Sequence, residues 1–225
     1  MKKHLLVLVL ILFPFLLHAQ GVAGKNVQLG FSLTPNVGWL RFNDADQGTE
    51  SSGGRLGFSY GILGDFGIAG NDNYYFSTAF AVTTVNGKAS TTAPSQLYPK
   101  YDPVPASADY TYKLQYIEVP FTLKLKSNRS QIGRFYGQFG LGTAVKISAK
   151  SDLSLIGSKL DDVNVAEDIN NFRLSLIAGG GAEWNVDRNL SIQTGITFNN
   201  GFTDIFDGDG NARNSYFALN LGIFF

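Results

Sequence analysis

The sequence predicts an all-β fold, an eight-stranded antiparallel up-and-down transmembrane β-barrel. Three patterns predict it: period-two alternation in eight stretches, connections that alternate between long and short, and strand charges confined to one face. Alternation places successive side chains on opposite faces of a strand, so a repeating apolar/polar pattern marks a sheet whose faces meet different media.

The elements follow in order. In the first, Val27, Leu29, Phe31, Leu33, Val37 and Trp39 oppose Gln28, Gly30, Ser32, Thr34, Asn36 and Gly38. The second spans 55–69 and the third 74–86, with Leu56, Phe58, Tyr60 and Ile62, then Tyr74, Phe76, Phe80 and Val82, on their apolar faces. The fourth (112–126) sets Ile117, Val119, Phe121, Leu123 and Leu125 against Tyr116, Glu118, Thr122 and Lys124. Residues 135–150, 172–186, 190–202 and 215–225 repeat the theme with Gly-rich polar faces. Between them, residues 41–54, 87–111, 151–171 and 203–214 read as long connections, and 70–73, 127–134 and 187–189 as short ones. A membrane barrel with short periplasmic turns and long external loops has this asymmetry.

The chain begins like an export leader. Lys2 and Lys3 precede an apolar run from Leu5 to Leu17, and Leu17-His18-Ala19 offers a small-residue cleavage site. The expected organisation is a signal peptide over 1–19 and an outer-membrane barrel domain over 20–225. Both histidines and the only methionine, His4, His18 and Met1, then belong to the leader, and the chain has no cysteine. Without Lys2 and Lys3, 16 basic residues stand against 18 acidic ones, a net charge of −2. A slightly acidic chain is a poor nucleic-acid binder, because phosphate neutralisation needs clustered cations.

Arg55, Asp65, Glu118, Lys124, Lys146, Arg173 and Glu183 fall within the expected strands, all on the Gly-rich face. A charge at mid-depth against lipid costs a few kcal/mol, whereas a lumen accepts it when paired or hydrated. These seven are therefore the expected lumen polar cluster. A soluble barrel with the faces reversed would overfill an interior that eight strands leave only just wide enough for side chains.

The segment Leu114-Gln115-Tyr116-Ile117-Glu118-Val119-Pro120-Phe121 resembles the fourth strand of the PorT-like outer-membrane barrels of Gram-negative bacteria, a porin-like group. Tyr136-Gly137-Gln138-Phe139-Gly140-Leu141-Gly142 looks like that family's Gly-rich fifth strand, and Leu221-Gly222-Ile223-Phe224-Phe225 like its aromatic-ended last strand. The resemblance implies an outer-membrane location, and for a few members a role in a protein-secretion and gliding apparatus.

No catalytic residues, cofactor-binding residues or metal ligands are expected. Barrel hydrolases activate a Ser through a His, and the mature chain has none; a Glu118/Glu183 pair shares its face with three cations and reads as ion-paired filler. Asp207-Gly208-Asp209-Gly210-Asn211 imitates the start of a calcium loop, but Ala212 and Ala218 stand where that loop needs Gly and Glu. Pro120 suggests a bulge or a break in pairing beside Glu118. The expected function is a non-enzymatic structural or interaction role, with a plugged lumen and four long extracellular loops. The alternative is a narrow pore or an accessory of a secretion machinery. Outer-membrane lipid is the expected partner, with an extracellular or periplasmic protein recognised through the loops, and the barrel is expected as a monomer.

Overall fold

The computed structural model describes residues 27–42, 49–68, 70–91, 108–155, 158–187, 190–207 and 212–225. The expected leader, the prolines of 92–107 and most of the Asp207–Asn211 stretch lie outside the described residues. Among the described residues nine strands form: β1 (Val27–Phe42), β2 (Thr49–Gly67), β3 (Tyr74–Thr91), β4 (Ala108–Lys126), β5 (Gly133–Leu155), β6 (Ser158–Asn164), β7 (Phe172–Asn185), β8 (Ser191–Gly201) and β9 (Ala212–Phe224). Successive strands pair antiparallel except that β5 pairs with β7 past β6, β1 pairs with β9, and the β4–β5 pairing closes the ring. Eight strands make the barrel, and β6 is an additional short strand laid along the far end of β5. Closure satisfies the backbone donors and acceptors that an open edge would expose to lipid.

The faces separate as the alternation requires. Phe31, Leu33, Ile62, Phe80, Phe139, Ile196 and Leu219 are exposed on the outer surface, while Asp65, Glu118, Lys124 and Glu183 are buried inside. Glycine permits the close strand approach behind this. A Cβ on Gly140 would lie 2.1 Å from the Phe121 carbonyl oxygen, and one on Gly181 2.0 Å from that of Thr194. Neither can be accommodated without moving backbone.

The strands run further than expected at one end. Residues 49–54, 87–91, 108–111 and 151–155 extend the barrel wall, and 158–164 form β6, so the connections shrink to 43–48, 92–107 and 202–211. The reason is a reversal of pattern. Along β4, Asp109, Thr111, Lys113 and Gln115 face outward and Tyr110, Tyr112, Leu114 and Tyr116 inward; from Ile117 the outer face turns apolar and the inner face polar. The wall leaves lipid at this point, so its apolar side turns in. There Tyr110, Tyr112, Leu114, Leu153, Val165, Ile169 and Phe206 pack as one core across the barrel opening. The Tyr112 and Phe206 rings meet edge to face at 5.6 Å.

Pro120 makes no bulge. The β3–β4 register is the same on both sides of it, with Thr78 opposite Phe121 and Ala81 opposite Glu118, and pairing lapses between. The Thr78 hydroxyl donates to the Pro120 carbonyl at 2.7 Å instead. A proline has no donor to offer β3, so the gap is its natural place.

Candidate functional site

The interior divides into two polar layers, and the seven charges expected there do not form one cluster. Asp65, Lys124 and Glu183 meet near the short-turn end. Asp65 accepts from Lys124 at 2.8 Å and from Lys126 at 2.7 Å; Lys126 also reaches Glu183 at 2.7 Å, and Arg134 binds Glu183 at 2.8 Å. The Ser77 hydroxyl donates to Asp65 and the Gln193 amide oxygen accepts from Lys124. Lys126 lies over the Tyr75 ring at 4.1 Å, and Lys124 over Tyr136 at 5.0 Å. All five ionised side chains are buried, so solvent screening is weak and each must be held by its neighbours. The layer carries three cations and two carboxylates, a net charge of +1.

Lys126 and Arg134 were missing from the expected cluster. Both carry the inward parity, Lys126 with Lys124 and Arg134 with Gln138; that parity is the available signal for Lys126, the last residue of the expected strand 112–126, whereas Arg134 falls in the expected connection 127–134.

The second layer lies nearer the long-connection end. Glu118 accepts from the Asn199 amide at 2.8 Å and the Tyr216 hydroxyl at 2.9 Å. Arg173 donates to the Asn199 oxygen at 2.6 Å and the Asn214 oxygen at 2.5 Å. Asn199 therefore couples the carboxylate to the guanidinium without direct contact between them. Asn199, Asn214 and Tyr216 belong to this layer although charge alone does not mark them in the sequence. Between the layers is a cavity of about 120 Å³ lined by Ser59, Thr83, Thr122, Thr197, Glu118 and Lys124, room for a few waters.

The remaining two expected members lie elsewhere. Lys146 donates to the carbonyls of Ala166 and Ile169, tying the connection after β6 over the barrel mouth. Arg55 is not in the lumen. One extra β2 residue stands between the pairs Gly54–Gly87 and Phe58–Thr84, and Arg55 lies within that bulge with its side chain exposed. The bulge breaks the alternation that assigned it inward. It lines a surface groove with Lys88, Asp109, Asp152 and Lys159. On the same outer wall Lys113 bridges Asp152 at 2.8 Å and Asp162 at 3.1 Å.

At the short-turn end an open recess of about 810 Å³ is lined by Gln28, Asn73, Tyr75, Arg129, Arg134 and Phe224. Among the described residues no group of three or more His, Cys, Asp or Glu side chains is arranged to hold a metal ion.

A family model for the outer membrane protein beta-barrel domain matches residues 18–207. The comparison with curated proteins finds no significant match. Among solved structures, the chain is similar to Neisserial surface protein A (NspA) at 13% identity, covering 88% of this chain and 95% of that one, with a TM-score of 0.45. It is similar to OprG from Pseudomonas aeruginosa at 9% identity, covering 89% and 96%, with a TM-score of 0.45. The outer membrane protease OmpT from Escherichia coli follows at 10% identity, covering 90% and 97%, with a TM-score of 0.41.

Proposed function

Because the chain belongs to the outer membrane protein beta-barrel domain family and resides in the bacterial outer membrane, we propose that it is a non-enzymatic interaction protein there, with a plugged lumen. The observation that carries this reading is the pair of filled layers. Lys124, Lys126, Arg134, Asp65 and Glu183 cross the interior at one level, and Glu118, Arg173, Asn199, Asn214 and Tyr216 cross it at another. The space left between them, about 120 Å³, is too small for a solute path.

In this reading the long-connection end faces outward and holds up its charged rim, with Lys113, Asp152, Lys159 and Asp162 as contact groups for a protein partner. The exposure of Lys113, Lys159 and Asp162 and the height of all four above the apolar band support it. The strand from Tyr116 to Pro120 supports a place in the PorT-like branch of the family. The polar recess at the opposite mouth supports the second reading, in which a periplasmic component of a secretion machinery docks at that end.

Single cysteines test the orientation. A cysteine at Asp161, on β6, should react with a membrane-impermeant maleimide in intact cells, and one at Asn128, in a short turn, only after lysis. The reverse pattern would refute the outward display. Liposomes carrying the folded protein should not swell in isotonic arabinose; swelling in proportion to protein would refute the plug.

A further inference from the structure

On the outer surface of the β8–β9–β1 wall, the apolar face ends in three rings. Trp39 stacks on Phe198 at 6.2 Å between centroids, Trp39 meets Phe217 at 5.5 Å, and Phe198 meets Phe217 at 4.8 Å. Such a cluster at the end of an apolar band sits at headgroup level. The next outward position on β1 is Arg41 and, past the intervening Ser215, the next on β9 is Arg213, and the register places these two arginines directly opposite each other.

Like charges facing across an antiparallel pair repel. Arg41 reaches over β9 to the Asn200 amide oxygen at 3.1 Å and the Gly201 carbonyl at 3.5 Å, and no carboxylate among the described residues pairs with it. Among the described residues the carboxylate nearest Arg213 is Asp204, whose oxygen lies 3.9 Å from Nε, beyond hydrogen-bond distance; that Nε is buried with no hydrogen-bond partner among them. Among the described residues the patch therefore keeps a net charge of +1 and an unmade hydrogen bond beyond the aromatic platform.

We infer that Arg41 and Arg213 form a clamp for the phosphate of a membrane lipid, whose acyl chains lie against Trp39, Phe198 and Phe217. Guanidinium groups match phosphate oxygens with paired, charge-assisted hydrogen bonds, and a phosphate between them removes the repulsion. The occupant is a lipid rather than a free anion because the aromatic cluster continues the lipid-facing surface down from the arginines. Its assignment to the outer leaflet rests on the orientation proposed above; binding in detergent does not, so the two are tested separately.

The test is native mass spectrometry of the folded protein in detergent with diphosphoryl, monophosphoryl and dephosphorylated lipid A. Occupancy should fall in that order. The double variant R41Q/R213Q, checked for folding by heat-modifiable gel mobility, should lose about tenfold or more in apparent affinity for the diphosphoryl form, and K150Q should lose nothing. Excess inorganic phosphate should not displace the lipid. Equal binding of the dephosphorylated lipid, unchanged binding in the double variant, or displacement by inorganic phosphate would each overturn the clamp. The phosphate series on the unaltered protein keeps the inference open to refutation even where the double variant does not fold.

Discussion

Replacing Asp65 with Asn removes one charge from the lower layer and leaves the rest in place. Asp65 is fully buried and accepts from Lys124, Lys126 and Ser77. Without it the layer holds three cations against Glu183 alone, and its net charge rises from +1 to +2. Breaking a buried pair by removing one partner costs about 3–5 kcal/mol, because the cations left behind stay desolvated. That corresponds to a factor of roughly a hundred to several thousand in the unfolding equilibrium. Urea unfolding in detergent micelles, followed by the heat-modifiable gel shift, should show the midpoint falling by roughly 1 M or more. The double variant D65N/K124M restores the layer's net charge and should regain part of the loss, since an apolar replacement of a buried pair is often neutral. A D65N protein within about 1 kcal/mol of the original would refute the reasoning, because that is the range of water-screened surface pairs.

Other consequences follow from the wall and the core. Phe80 is 58% exposed on the lipid side, and Phe80→Arg should destabilise the barrel by about 2–4 kcal/mol in a bilayer if it lies at mid-depth; urea titration in liposomes measures this. Gly181→Ala pushes a Cβ into the Thr194 carbonyl and should cost about 1–3 kcal/mol in the same assay. Tyr112, 1% exposed in the core at the long-connection end, should lose about 3–5 kcal/mol of packing there on truncation to alanine. Limited proteolysis should then cut within 156–171 sooner, while the spanning strands stay protected.

How much of this was legible in the sequence depended on how long each pattern runs. Strand count, the outward faces and the inward placement of Asp65, Glu118, Lys124, Arg173 and Glu183 follow from alternation over ten or more residues in one medium. Legibility failed where the medium changes. Tyr110 shares a parity with Tyr112, Leu114 and Glu118, but above the lipid that parity is apolar, so residues 108–111 at the end of the wall carry a loop-like pattern. Leu153 and Val165 read as loop hydrophobes for the same reason and are core. Arg55 misled because a bulge changes parity without any residue that marks it, Gly54 and Gly57 being common in these strands. Asn199 and Asn214 were unmarked because neutral amides look alike in a lumen or a turn. Their roles appear only once Arg173 and Glu118 are placed on either side of them.

The central claim is that the two buried layers close the interior. Single-channel recording in planar bilayers tests it most directly. The purified barrel should insert without discrete conductance steps, because Lys126 bridges Asp65 and Glu183 across one level and Asn199 joins Arg173 to Glu118 across the other. Reproducible steps from the unaltered protein would contradict it.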